Sequence, residues 1–157
     1  EIASARVRVR WPNRVEITLV ERQPVAEWQD DAQTWWISSE GIGYLKHGDW
    51  PGLIRIRSKE PVLQIQPDPL APVIPGDLLR SAAVLAAQLD GLDTLVYHPD
   101  HGLGYSDERG WTAYFGTGGD MVMKVRLYDA VAGSLLAQGI SASLVSVEDP
   151  AVPYLIE

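Results

Sequence analysis

The chain has 157 residues, 46% hydrophobic and 22% charged, an ordinary composition for a globular protein of one medium or two small domains. No apolar run approaches the roughly 18 residues that cross a bilayer as a helix, and the absence of cysteine excludes disulfides and thiolate chemistry. The net charge of −8 is uneven: residues 1–67 carry nine acids and nine bases, whereas residues 68–157 carry twelve acids against Arg80, Arg109, Lys124 and Arg126, a balance that repels phosphate backbones and makes nucleic acid an unexpected partner.

The chain begins inside a strand pattern with neither an initiator Met nor a signal peptide, so it reads as part of a longer protein. Residues 5–11 and 15–21 alternate with period two and predict a hairpin. Val7, Val9 and Trp11 must share a face with Val15, Ile17 and Leu19. That requires an odd loop, Pro12-Asn13-Arg14, pairing 11 with 15, 9 with 17 and 7 with 19. The same register sets Arg10 beside Glu16 and Arg8 beside Thr18 on the other face. Arg6, Arg8 and Arg10 then read either as a solvated face or as a surface for acidic lipid headgroups or a partner. Pro24 has no N–H for a ladder and ends the second strand.

The polar residues 29–33 read as a junction. The run TWWISSEGIGYLK, 34–46, predicts a second hairpin turning at Gly41. Residues 47–76 hold six prolines and two short extended runs, LIRIR and VLQIQ. Apolar residues at 78, 82, 85, 86 and 89 predict a helix over 77–89, capped by Asp77 and stopped by Gly91. TLVYH, 94–98, is a strand, and GLGYS and WTAYFG form a hairpin around Asp107-Glu108-Arg109-Gly110. A second helix is expected over about 121–138. Asp120 caps it, Val125, Tyr128, Val131, Ala132 and Leu135 form its stripe, and Gly139 stops it. SASLVSVE, 141–148, is the last predicted strand, with Pro150 and Pro153 barring its extension; the tail VPYLIE is apolar again. Strands and helices come in blocks, which predicts an α+β fold with antiparallel and mixed pairing.

Four groups of residues have chemistry worth weighing. His98, Asp100 and His101 are proper Zn²⁺ or Fe²⁺ ligands but equally suit a polar turn at a strand end. FGTGGD, 115–120, enters a helix as a phosphate cradle does. It lacks P-loop residues and G-x-G-x-x-G spacing, and reads as well as a flexible turn. Asp30 and Asp31 point to opposite faces of extended chain, and Glu27 and Glu40 complete a glycosidase-like pair only on paper. Trp28, Trp35, Trp36 and Trp50 are dense for one segment; they suit either packing or stacking on a sugar or partner. No G-x-S-x-G occurs, so no Ser-His-Asp arrangement is suggested; the case for an enzyme is thin and no cofactor is expected. What remains is a strand edge. If the 142–148 strand borders its sheet, its free backbone groups accept a segment of another protein, with Val145 and Val147 on one face and Leu144, Ser146 and Glu148 on the other.

SARVRVRWPNRVEITLVERQPVAEW resembles the end of the POTRA domain of the bacterial cell-division family FtsQ/DivIB, where a W-P-N turn leads to E-R-x-P-V-A. WWISSEGIGYL is similar to the hairpin that follows in that family, and GWTAYFG with MKVRLYDAVAGSLL is similar to its W-x-x-x-x-G and K-x-x-x-L helix, Lys124 taking the lysine position. Val145-Ser146-Val147-Glu148 stands where the family usually has I-D-L-R. The resemblance implies residues 1–28 as the C-terminal half of a POTRA domain and 29–157 as an FtsQ-type β domain with two helices. It implies a non-enzymatic scaffold, extracytoplasmic and anchored by one N-terminal membrane helix, that joins division proteins at the septum. Its last strands would bind a complex of the FtsB/FtsL type. Carried onto this chain, the partner-binding residues are Ala142, Ser143, Leu144, Val145, Ser146, Val147, Glu148 and Tyr154. The alternative is an extracytoplasmic glycan-binding or metal-dependent hydrolytic domain using the tryptophans or His98, Asp100 and His101.

Overall fold

A computed structural model describes residues 1–30, 33–60, 71–89 and 91–157. Strands β1 (Ile2–Arg10) and β2 (Arg14–Glu21) form a two-stranded hairpin. The remaining strands are β3 (Pro24–Gln29), β4 (Thr34–Ser38), β5 (Gly43–Leu45), β6 (Ile54–Ser58), β7 (Leu95–His98), β8 (Gly102–Ser106), β9 (Thr112–Gly116), β10 (Leu144–Ser146) and β11 (Tyr154–Ile156). They make one sheet in the order β11-β10-β9-β8-β7-β6-β3-β4-β5. Helix α1 (Gly76–Gln88) connects the parallel pair β6 and β7, and α2 (Met121–Gln138) connects the parallel pair β9 and β10. The other neighbours except β3 and β6 are antiparallel, so the expected α+β class with mixed pairing holds.

The first hairpin keeps the predicted faces and changes the predicted register. Val9 pairs with Val15, Val7 with Ile17, Arg8 with Glu16 and Arg10 with Arg14. The turn is therefore Trp11-Pro12-Asn13, and Arg14 joins the ladder in place of Trp11. Parity allows either register, because a slip of two residues returns every side chain to its own face. Arg10 still approaches Glu16 diagonally, at 3.8 Å.

Residues 24–28 lie in β3, paired with β4 and β6, and the break in pairing falls at Arg22-Gln23. Pro24 thus starts a strand rather than merely ending one, a position where its missing N–H is tolerated. The second hairpin turns where expected, with Gly41 at φ +81°; an added Cβ there would meet the Ile74 carbonyl oxygen at 2.2 Å.

Both helices lie against one face of the sheet and against each other. The core they cover holds Ala26, Trp28, Ile37, Ile56, Leu95, Leu103, Ala113, Phe115 and Val145 from the strands, and Val147 just past β10. Trp28 is fully buried, its ring 5.2 Å from that of Tyr97. Helix α2 begins as expected: the Asp120 carboxylate accepts from the Met123 amide at 3.0 Å, and Gly139 ends it at φ +67°. Helix α1 does not use Asp77 as its cap. Pro75 occupies that position, where its fixed φ and missing N–H cost little, and Asp77 falls in the first turn. Its buried side is Leu78, Leu79, Ala82 and Leu85, with Ala86 exposed. The run VLQIQ and residue Asp31 lie outside the described residues.

Candidate functional site

The nine-stranded sheet has two ends, and they differ. At β5, no strand lies beyond among the described residues, and the amides of Val73 and Ile74 donate to the carbonyl of Gly41, in the β4–β5 turn, at 2.9 and 3.2 Å. At β11, no strand lies beyond among the described residues. The expectation of an open edge along 142–148 is corrected: β10 is an interior strand. The Thr112 amide donates to Ser143 O and the Val147 amide to Tyr114 O on one side. On the other, the Ser143 amide donates to Ile156 O at 2.7 Å. The signal for the true edge was the apolar tail VPYLIE. It yields a strand of three residues, too short for periodicity to declare.

The predicted site residues separate accordingly. Val145 and Val147 are fully buried against the helices and unavailable to a partner. Ala142 packs beside the same core, and Ser143 uses its amide and hydroxyl to hold the Ile156 carbonyl. Leu144 is half-buried opposite Ile156. Ser146, Glu148 and Tyr154 do come together, on the sheet face away from the helices. Ser146 pairs with Tyr114 on one side and Tyr154 on the other, so three strands contribute one transverse row.

Glu148 organises this face. One of its oxygens, Oε1, accepts from the Ser146 hydroxyl at 2.8 Å and the Tyr154 hydroxyl at 3.4 Å. The same oxygen lies 2.9 Å from His101 Nδ1. His101 and His98 stack in turn around Tyr114, the His101 and Tyr114 rings being 4.9 Å apart. Burial, with the Glu148 charge adding to it, pushes the Tyr114 phenol up. This is where the HPDHG motif goes. His98 Nδ1 accepts from the Asp100 amide at 3.2 Å, and among the described residues no three metal-type side chains converge.

The other motifs are similarly occupied. In FGTGGD, Lys124 Nζ donates to Phe115 O at 2.8 Å and to Gly118 O at 3.2 Å, and the Gly118 amide donates to Ser81 Oγ at 2.9 Å. The loop is tied internally, and burial lowers the Lys124 pKa against the opposing pull of Glu148 and Asp149. Glu27 holds Lys46 at 2.9 Å and Glu40 holds Arg22 at 3.2 Å. Trp28 and Trp36 are buried and Trp35 packs on the core; Trp50 alone of that group is exposed. Sequence reading missed one network entirely. Asp107 accepts from Tyr105 at 2.7 Å, from the Arg109 amide at 2.9 Å and from Tyr128, while Trp111 Nε1 donates to the Tyr128 hydroxyl. Burial acts to raise the Asp107 carboxyl, but these hydrogen bonds and the Arg109 charge outweigh it and hold it below its ordinary value. The network pins the β8–β9 hairpin to α2.

No protein-family model matches the chain. Curated relatives do. The cell division protein FtsQ of Mycobacteroides abscessus is 31% identical over 91 residues, 55% of this chain and 29% of that protein. The cell division proteins FtsQ of Neisseria meningitidis and Neisseria gonorrhoeae are each 42% identical over 59 residues, 38% of this chain and 24% and 23% of theirs. The chain is FtsQ-like. The matched stretches span less than a third of each relative's length. Among the described residues no helix is long and apolar enough to cross a membrane.

Proposed function

We propose that this FtsQ-like chain is a non-enzymatic division scaffold that captures a partner segment along the open edge of β11. The observation that carries the proposal is the unpaired outer side of Tyr154–Ile156, at one end of the nine-stranded sheet and beside the row of Ser146 and Glu148. An edge strand offers a row of main-chain donors and acceptors, which an extended segment completes by adding as a tenth strand. In an antiparallel strand both backbone groups of a residue point to the same neighbour. The Ile156 carbonyl points to β10, so alternation turns the Leu155 N–H and C=O outward.

By its resemblance the partner is a complex of the FtsB/FtsL type. The hairpin of β1 and β2 belongs, on the same reading, to a POTRA-type domain, with a membrane anchor before it and this region outside the cytoplasm. Substituting Val145 or Val147 would disturb the core and test nothing about the edge. Leu155→Pro removes the outward amide and spares the helices. The expected result is loss of partner binding by calorimetry with the helical circular dichroism of the native chain. Undiminished affinity in a folded L155P variant would sink the proposal.

A further inference from the structure

We infer that the partner segment presents a lysine or arginine on the face of Tyr154, and that Glu148 is the group that reads it. This rests on the edge-docking reading above and adds the chemistry of the partner. The row Tyr114, Ser146, Tyr154 runs across β9, β10 and β11 on the face away from the helices. A strand added to β11 places its next side chain in that row, about 4.8 Å beyond Tyr154. Two features meet a side chain arriving there.

The first is the Tyr154 ring, 43% exposed at the border of the sheet. An aromatic face attracts a cation, arginine above all, and the aliphatic stem of Lys or Arg packs along apolar surface while its charge reaches further. The second is Glu148. Ser146, Tyr154 and His101 all meet its Oε1, which fixes the carboxylate's direction, whereas Oε2 has no hydrogen-bond partner among the described residues. The Glu148 side chain keeps a quarter of its surface exposed. A long cationic side chain crossing Tyr154 therefore ends at an oriented acceptor, the geometry that makes a charge-assisted hydrogen bond.

The surrounding charge selects the same sign. After Arg126 the chain holds Asp129, Glu148, Asp149 and Glu157 and no further Lys or Arg. The nearby Lys124 is buried with its ammonium on the Phe115 and Gly118 carbonyls. An acidic partner side chain in this row meets the Glu148 carboxylate with no Lys or Arg on β10 or β11 to answer it, while backbone pairing at Leu155 is indifferent to charge.

The test uses the whole chain, isotopically labelled, and three synthetic alternating Thr/Val strand peptides that differ at one central position: Lys, norleucine or Glu. Leu155 and its neighbours should shift with all peptides that pair. The Lys peptide should bind on the order of fivefold or more tightly than the Glu peptide, with norleucine between. High salt should narrow that order. Glu148→Gln, which keeps the Oε1 acceptor, should bring the three affinities together without moving the site of the shifts. Equal affinities for the native chain, unaffected by salt, would overturn the charge inference and leave the edge reading standing. Absence of any shift at Leu155 with all three would overturn both.

Discussion

In β1 and β2, Val7, Val9, Val15 and Ile17 alternate with polar residues and all remain exposed. In β3, Ala26 and Trp28 alternate with Val25 and Glu27 and are sealed completely. The local pattern is the same period of two; the difference is what lies above it. Helices α1 and α2 lay Leu78, Ala82, Leu85, Val125, Tyr128 and Leu135 into the core that Ala26 and Trp28 share, and nothing described lies across the hairpin. The hairpin is held at its base instead. Arg22 N donates to Glu1 O at 2.7 Å, Tyr44 donates to Arg22 O at 3.1 Å, and Arg22 pairs with Glu40. Alternation thus assigns a side chain to a face, while burial depends on a second element able to cover that face.

The sharpest way to break this contrast is Trp28→Ala. Removing a fully buried indole leaves a cavity that the packed sheet and helices close only in part, so unfolding by denaturant should show a loss of about 3–5 kcal/mol. A loss near that of a surface substitution would mean that the β3 face is no better covered than the hairpin. Next in size is Asp107→Asn, expected to cost about 1–3 kcal/mol at neutral pH, because Tyr105 and Tyr128 lose a charged acceptor. The sign with pH is fixed by the lowered carboxyl of the folded state. The stabilisation is complete above the unfolded carboxylate value, near about 4, and disappears as pH falls through the folded one. Unfolding free energies of the two proteins should therefore converge in acid. A gap that stays constant with pH would assign the effect to packing.

Much of the sheet was legible because it rests on local rules. Gly41, Gly139 and Asp120 act as turn, stop and cap in the predicted places, since each role needs only its own backbone or its immediate neighbours. Register was less legible: the pairing of Val9 with Val15 rather than Ile17 is a choice between two arrangements with identical faces. The candidate site was legible only in part. Ser146, Glu148 and Tyr154 could be named, yet the order of strands decides which of them borders the sheet. That order comes from the crossover of α2, which inserts β10 between β9 and β11. The link between His101 and Glu148 joins residues 47 apart, and the Asp107 network joins a hairpin loop to a helix. No spacing rule reaches either.

The smallest expected effect is on the hairpin itself. Ile17→Thr keeps a β-branched strand former and trades an exposed methyl-bearing arm for a hydroxyl. Ile17 faces Val7 across the ladder, so the cross-strand contact weakens, but no third element is uncovered. The stability of this chain should change by less than about 0.5 kcal/mol, the range of surface substitutions. The hydroxyl should also reduce self-association at high concentration, because an uncovered apolar face is a surface for non-specific contact. A loss of about 2 kcal/mol or more would require Ile17 to be packed in solution as a core residue is. The hairpin would then have a cover, and its likeness to β3 would extend from pattern to burial.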